Sequence, residues 1–393
     1  MDLNGNIEPI RREFPILKYK TYLNSAAHGP ALGRVRAAVN DYWQFRMNEC
    51  MDVESPDLKE EAAELLHVDT EELTWCTRVT QGFNMIRSML EFDSGDNIVA
   101  TELGYPSNVF VWLPLREKGV EIRRVPGKKG YLEVGDFEDL IDDNTRVVSI
   151  SEIEWTTGQR YDMKAICDIA HDHGALVIND AYQAVGAIDV DAREQDVDFL
   201  LVGSGKWLCC PTSAGLFYIR GDHIDEFEPS YRFYACVEEA FRDEPPWIDP
   251  EHDNISAYEG PLGPAADKFY RGCVAESAIW GFEAALSFFN EIGKDKIERR
   301  VRSLSGYLID GLKDLGVTVN TPIEAYERGG LVTYNTGSHE LNVKSHRELQ
   351  KKSIITALRY QRNIGGITVS THLFNKKEEI DKLLELQEGL LGE

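Results

Sequence analysis

Residues 175–218 read ALVINDAYQAVGAIDVDAREQDVDFLLVGSGKWLCCPTSAGLFY. Three short apolar runs stand out, Ala175 to Asn179, Val197 to Gly203 and Gly215 to Ile219, each bounded by polar or glycine-rich turns. Runs of that length and content predict buried strands. Two polar groups sit at their ends: Asp180 closes the first run and Lys206 follows the second. In an open α/β sheet, an acid at one strand's carboxyl end and a lysine just past the next strand meet across one crevice.

That pair suits pyridoxal phosphate chemistry. A lysine amine condenses with the cofactor's aldehyde, while a carboxylate beside the ring nitrogen keeps it protonated, so that the ring accepts electrons from a substrate carbanion. Gln183 lies on the same loop as Asp180 and is placed to hydrogen-bond the ring's phenolic oxygen. Taken singly, Asp180 and Gln183 also read as a polar turn, and Lys206 as a solvated loop residue.

Taken together, DAYQAVG, GSGKWL and AGLFYIR resemble the signature of class V aminotransferase-like enzymes of fold type I, which include cysteine desulfurases, cystine C–S lyases, isopenicillin N epimerase and kynureninase. The resemblance runs from about Tyr22 to the C-terminus. It implies an α/β protein with a large domain built on a mostly parallel seven-stranded sheet and a small α+β C-terminal domain. The expected division is an N-terminal arm (1–20), a large cofactor domain (21–272) and a small domain (273–393). The resemblance also implies a homodimer with active sites near the subunit interface.

Carried over residue by residue, it makes Lys206 the cofactor-binding and catalytic lysine, Asp180 the partner of the ring nitrogen and Gln183 that of the ring oxygen. Thr80 and Gln81, with Gly82, match the family's phosphate cup. They follow an expected strand, Leu73 to Cys76, at a helix start, where free N–H groups bind anions; Thr80 alone reads as a helix cap. Tyr105 matches the aromatic, often histidine, that stacks on the ring, and Ser204 is a phosphate contact. His28, in YLNSAAHGP (residues 22–30), lies where the family has the mouth of its substrate pocket, and reads equally as a structural loop residue. Trp155 stands where desulfurases usually have asparagine, which makes that wall bulkier and more apolar. Cys273 replaces a threonine that reaches the neighbouring subunit's phosphate, and Arg271 is a candidate anion contact across the interface.

Three departures bear on the reaction. The family's desulfurases attack substrate sulfur with a cysteine of the C-terminal domain, and no cysteine follows Cys273 here. In GGITVSTHLFNKKEEID, Thr368 falls where the family has an arginine clamping the substrate carboxylate, and threonine lacks the charged fork that such a clamp uses. Arg359 is then the nearest substitute, with Arg271 and Arg362 behind it. Gly205 replaces the histidine that usually precedes the lysine. A C–S lyase catalysing β-elimination on a cysteine-derived substrate fits these features. An aminotransferase or epimerase uses the same lysine, and a protein that binds the cofactor with little turnover is the remaining reading.

Composition narrows the partners. Among 393 residues, 42 Lys and Arg face 67 Asp and Glu, a formal charge of −25, which opposes nucleic acid and anionic membranes. Seven scattered cysteines without a CxxC pair read as reduced thiols, neither a disulfide framework nor a zinc site. The N-terminal stretch MDLNGNIEPIRREFPIL has no apolar core and no later run approaches membrane-spanning length, so the expectation is a soluble cytoplasmic protein acting on a small amino acid or amine. No GxGxxG opens a helix. His171 and His173 read as solvated. Val35, Val39, Trp43 and Met47 recur at helical spacing as packing positions, and residues 222–264 show no periodicity.

Overall fold

The computed structural model describes residues 3, 5–49, 56–230, 232–233, 236–237, 260–272 and 274–392. Cys273 and much of the aperiodic 222–264 stretch lie outside the described residues. Eight strands come first in the chain: β1 (Thr21–Tyr22), β2 (Leu73–Cys76), β3 (Asn97–Thr101), β4 (Glu121–Val125), β5 (Thr145–Ser151), β6 (Leu176–Asp180), β7 (Phe199–Gly203) and β8 (Gly215–Ile219). Seven of them form one sheet in the order β2-β8-β7-β6-β5-β3-β4. β8 runs antiparallel to both its neighbours and the other pairs are parallel. The sheet therefore has the expected strand number and is mostly parallel.

The apolar runs are continuous because both faces are covered. Along β7, Phe199 and Leu201 point into one core, together with Phe83 and Ile86 of helix Val79–Met89 and Phe217 of β8. Leu200 and Val202 point into another, with Ile166 of helix Met163–Asp172 and Phe282 and Phe289 of helix Glu276–Ile292. Side chains alternate at a period of two, so each strand feeds both layers.

The later strands are β9 (Thr318–Val319), β10 (Leu331–Asn335), β11 (Ile354–Ile355), β12 (Ala357–Gln361) and β13 (Ile364–Ser370). Four of these make an antiparallel sheet, β12-β13-β10-β9. Val332, Tyr334, Ile367 and Val369 pack on Leu308 and Leu312 of helix Lys294–Asp314 and on Ile380 and Leu383 of helix Lys377–Leu391. The N-terminal segment is tied to this region. β1 pairs in parallel with β11, and Arg11 donates to Phe374 O at 2.6 Å and pairs with Glu379 at 2.9 Å.

Two expectations about surface residues are corrected. In helix Gly33–Asn48, Val35 and Tyr42 are buried, but Trp43 and Met47 are exposed; helical spacing identifies a stripe without saying what covers it. His171 is not solvated: its Nε2 lies 2.9 Å from Asp198 Oδ2 at the amino end of β7. The buried Asp198 also meets His223 at 2.8 Å, Arg220 at 3.0 Å and the Val177 N–H at 2.6 Å. Burial pushes the Asp198 carboxyl up, yet the His171 and His223 hydrogen bonds prevail and hold it at about 2.

Both histidines are raised in return: His171 by its bond to Asp198 against a smaller cost of burial, His223 because its bonds to Asp198 and Glu226 outweigh burial. The histidine contribution is thus complete below about pH 6.5 and declines as pH rises through the raised values; that of Asp198 is present above the ordinary carboxylate range and declines as pH falls towards 2. We expect Asp198→Asn to cost about 3 kcal/mol near pH 6, because it removes the buried carboxylate that pairs three partly buried cations, and less at pH 9. Urea unfolding measures this, and a loss under about 0.5 kcal/mol, the ordinary effect of an uninvolved substitution, would contradict it.

Candidate active site

The sheet topology places six chain crossings at one edge. Thr77 follows β2, Tyr105 follows β3, Trp155 follows β5, Asp180 ends β6, Lys206 follows β7, and Ala214 precedes the antiparallel β8. All of them line one cleft, at the carboxyl ends of the parallel strands and beside the point between β3 and β5 where the strand order reverses. The cleft encloses about 110 Å³, and the exposed Tyr105 and Thr80 form part of its rim. A larger cavity of about 710 Å³, lined by residues such as Tyr131, Arg160 and Glu298, contains neither Lys206 nor Asp180.

Asp180 is buried, with Oδ1 accepting the Tyr182 N–H at 3.1 Å and Oδ2 facing Asn108 Nδ2 and Ser151 Oγ, each at 3.4 Å. Burial raises its pKa, so that it is a weaker acid, while the Lys206 charge opposes the shift. Lys206 responds in the complementary sense. Burial lowers its amine to about 8, Asp180 pulls it back up, and the positive charge of Arg359 adds to the lowering. An amine in that range exchanges a proton near neutral pH, as a general acid–base group requires. Its Nζ lies 4.1 Å from the ring centre of Tyr182 and 5.5 Å from that of Tyr105.

The lysine turn is held from three sides. Gly205 O accepts the Gly29 N–H at 2.9 Å, so the loop after β1 crosses directly over it. A Cβ at Gly29 would stand 2.0 Å from Lys206 O, which explains the glycine. The buried Trp207 donates to Gln183 Oε1 at 2.8 Å, and its carbonyl takes a 2.7 Å bond from His372 Nε2. Since His372 Nδ1 accepts the Leu373 N–H at 2.7 Å, the network assigns the imidazole hydrogen to Nε2, and burial lowers the ring to about 4. Trp207 and His372 were not singled out from sequence. Trp207 has an aromatic beside the lysine as its signal, whereas His372, more than 160 residues on, has none.

Of the residues expected from sequence, Lys206, Asp180, Gln183, Thr80, Tyr105, Ser204 and Trp155 share this cleft. Gln183 Nε2 also donates to Ala26 O at 3.1 Å. Ser204 Oγ donates to Pro211 O at 2.6 Å. Tyr105 meets Trp155 edge-on at 5.7 Å, and Trp155 Nε1 is anchored to Leu103 O at 3.0 Å. Thr80 Oγ1 lies 2.8 Å from Ser107 Oγ.

Gln81, His28, Arg359 and Arg271 are not on the cleft wall. Gln81 Oε1 accepts from Thr77 N at 2.6 Å and so braces the turn before the helix. His28 is exposed, with its carbonyl accepting from Tyr22 Oη at 2.7 Å. Arg271 Nη2 donates to Ser88 Oγ at 3.1 Å, and Arg362 pairs with Glu102. Arg359 donates to Leu358 O at 2.8 Å on β12, with its charge felt at Lys206. Thr368 is buried and turned across the strand to Thr333 Oγ1 at 3.3 Å; Ser370, two residues on, is the one whose hydroxyl accepts the Ala26 N–H at 3.1 Å beside the lysine turn. Arg78 and Tyr182 line the cleft and were not anticipated.

The donor set fits a pyridine-aldehyde phosphate: a buried carboxylate, an amine of lowered basicity, an aromatic at the rim, and a helix start at Val79 and Thr80 whose first N–H groups have no partner within the helix.

A profile of the family described as Aminotransferase class-V matches residues 45–383. A probable cysteine desulfurase of Methanothermobacter thermautotrophicus is 26% identical, across 98% of each chain. The apo structure of a cysteine desulfurase from Thermococcus onnurineus superposes with a TM-score of 0.83 at 22% identity, covering 98% of both chains. The complex of a cystine C–S lyase with its product cysteine persulfide gives a TM-score of 0.83 at 22% identity, over 96% of this chain and 99% of that one.

Proposed function

The chain belongs to the aminotransferase class-V family of pyridoxal 5′-phosphate enzymes, with the fold type I architecture, and from that premise we propose that it is a C–S lyase eliminating sulfur from a cysteine-derived amino acid. The bound cofactor supplies an aldehyde that condenses with amines and a ring that accepts electrons from the neighbouring carbon.

The protein's own side chains do the rest. Asp180 holds a proton at the ring nitrogen, and its burial concentrates that charge where water cannot screen it. Lys206 moves the proton at substrate Cα, its amine being near half-protonated at about pH 8. Gln183, fixed by Ala26 and Trp207, would hold the ring oxygen of the bound cofactor through the second hydrogen of its amide. Trp155 and Tyr105 form an apolar wall that excludes water. Arg359, off the cleft wall but with its charge felt at Lys206, adds positive potential that favours a substrate carboxylate.

One observation carries the choice of elimination over persulfide transfer. No cysteine follows position 273, and the thiols nearest the lysine, Cys209 and Cys210, are buried, with burial raising both far from the thiolate state. Neither is a usable nucleophile.

The products decide the matter. With cystine and no keto acid present, elimination releases pyruvate, ammonia and cysteine persulfide, water supplying the keto oxygen. A desulfurase leaves alanine, and a transaminase turns over only when a keto acid is added. Pyruvate without an acceptor is the expected result, and alanine or acceptor-dependent turnover would overturn the lyase reading.

A further inference from the structure

Lys206 is preceded within three residues by two glycines, and one side chain fills the room beside both. A Cβ at Gly203 would lie 2.6 Å from Cε2 and Cζ of Tyr182, its three nearest atoms all belonging to that ring. A Cβ at Gly205 would lie 3.2 Å from Tyr182 Oη and 2.7 Å from Thr212 Cγ2. Neither glycine has a positive φ, so the backbone does not demand them; what they provide is space.

Tyr182 starts two residues past Asp180 and runs its ring beneath the Lys206 amine, 4.1 Å from Nζ to the ring centre. Its hydroxyl lies against Gly205, where an added Cβ would stand 3.2 Å from Oη, and Arg78 lines the same cleft wall. A phenol hydroxyl carries a hydrogen to donate. The surroundings suit an anion. Thr77, Arg78, Thr80, Ser107, Thr212 and Ser213 share the cleft wall with Tyr182. Arg78 occupies the position before the helix start at Val79, and its exposed side chain makes no capping hydrogen bond there. Ser204 Oγ, on the same cleft wall, gives its hydrogen to Pro211 O at 2.6 Å and so has none to offer an anion.

We propose that the Tyr182 hydroxyl, together with Arg78, reads the cofactor's 5′-phosphate, the phenol occupying the volume that Gly203 and Gly205 leave open. The inference rests on the pyridoxal-phosphate reading of the site and concerns which residues of this chain hold the anion.

The test compares equilibrium binding of pyridoxal 5′-phosphate and of pyridoxal, which lacks the phosphate, to protein stripped of cofactor, with tryptophan fluorescence as the readout. Native protein prefers the phosphorylated form. Tyr182→Phe keeps the ring under the lysine and removes only the hydroxyl; its preference falls about 10-fold or more, the range for a hydrogen bond to a charged group, with pyridoxal affinity within about twofold of native.

Exchange of the two positions supplies the second arm. Gly203→Ser alone clashes with the ring and weakens phosphate-form binding, while Tyr182→Ala/Gly203→Ser accommodates the serine and regains part of the preference that Tyr182→Ala loses. A Tyr182→Phe protein with the native preference overturns the proposal. Native protein that binds neither compound overturns the cofactor reading itself, and this is distinguishable because it appears before any substitution is made.

Discussion

Lys206→Ala is expected to lower turnover by about 10³-fold or more, since general acid–base transfer alone contributes 10²–10⁴ and the amine also anchors the cofactor. The amine is buried, carries a basicity lowered to about 8, and sits on a turn pinned by Gly29, Gln183 and His372. Among the described residues no other lysine lines the cleft, so no neighbour there replaces it. Because the backbone of the turn keeps its own hydrogen bonds, the variant should fold. Circular dichroism and a steady-state assay with cystine check both statements, and activity within tenfold of native would remove Lys206 from the chemistry.

Asp180→Asn comes second in size, with an expected loss of 10²–10³ in kcat, the range for deleting one preorganised electrostatic partner. The carboxylate is held by Tyr182 N–H, Asn108 and Ser151, so the amide can keep the shape while losing the charge. The substitution also acts on Lys206. Asp180 raises the lysine's basicity against the cost of burial, so its removal moves the amine below about 8. The pH at which the cofactor-free amine half-titrates, followed by its rate of modification with an acylating reagent, is therefore expected to fall. A half-titration pH that stays or rises would show that the two groups are not coupled.

Much of this site was legible because its parts stand at strand ends. Apolar runs predicted β6, β7 and β8 within two residues, and the parallel neighbours β6 and β7 bring Asp180 and Lys206 to one edge without any further information. Residues whose position depends on distant contacts were less legible. Gln81 looked like a phosphate ligand from its place at a helix start, but its side chain bonds back to Thr77. His171 finds Asp198 across the sheet, a pairing that no local pattern encodes. Thr368 stands opposite Thr333 in the pairing of β13 with β10 and its hydroxyl meets that of Thr333 at 3.3 Å, a cross-strand partner that the sequence of β13 alone does not reveal. Tyr182, between Asp180 and Gln183 in sequence, carries no signal of its own there. Its significance depends on the room left by Gly203 and Gly205, which is a property of packing and not of spacing.

Arg359 illustrates a different limit. It belongs to β12 of the antiparallel sheet, and its influence at Lys206 exists because the loop after β1 joins that sheet to the lysine turn: Ser370 N–H bonds Leu23 O at 2.9 Å, and Gly29 N–H bonds Gly205 O at 2.9 Å. Sequence distance gives no measure of such docking.

The central claim is that Lys206 holds pyridoxal 5′-phosphate. Reduction of the cofactor-loaded protein with borohydride, followed by peptide mass spectrometry, tests it most directly, because reduction fixes the cofactor on whichever amine carries it. The account predicts the label on the peptide containing Lys206 and its loss in Lys206→Ala; a label on another lysine, or none on protein loaded with excess cofactor, would contradict it.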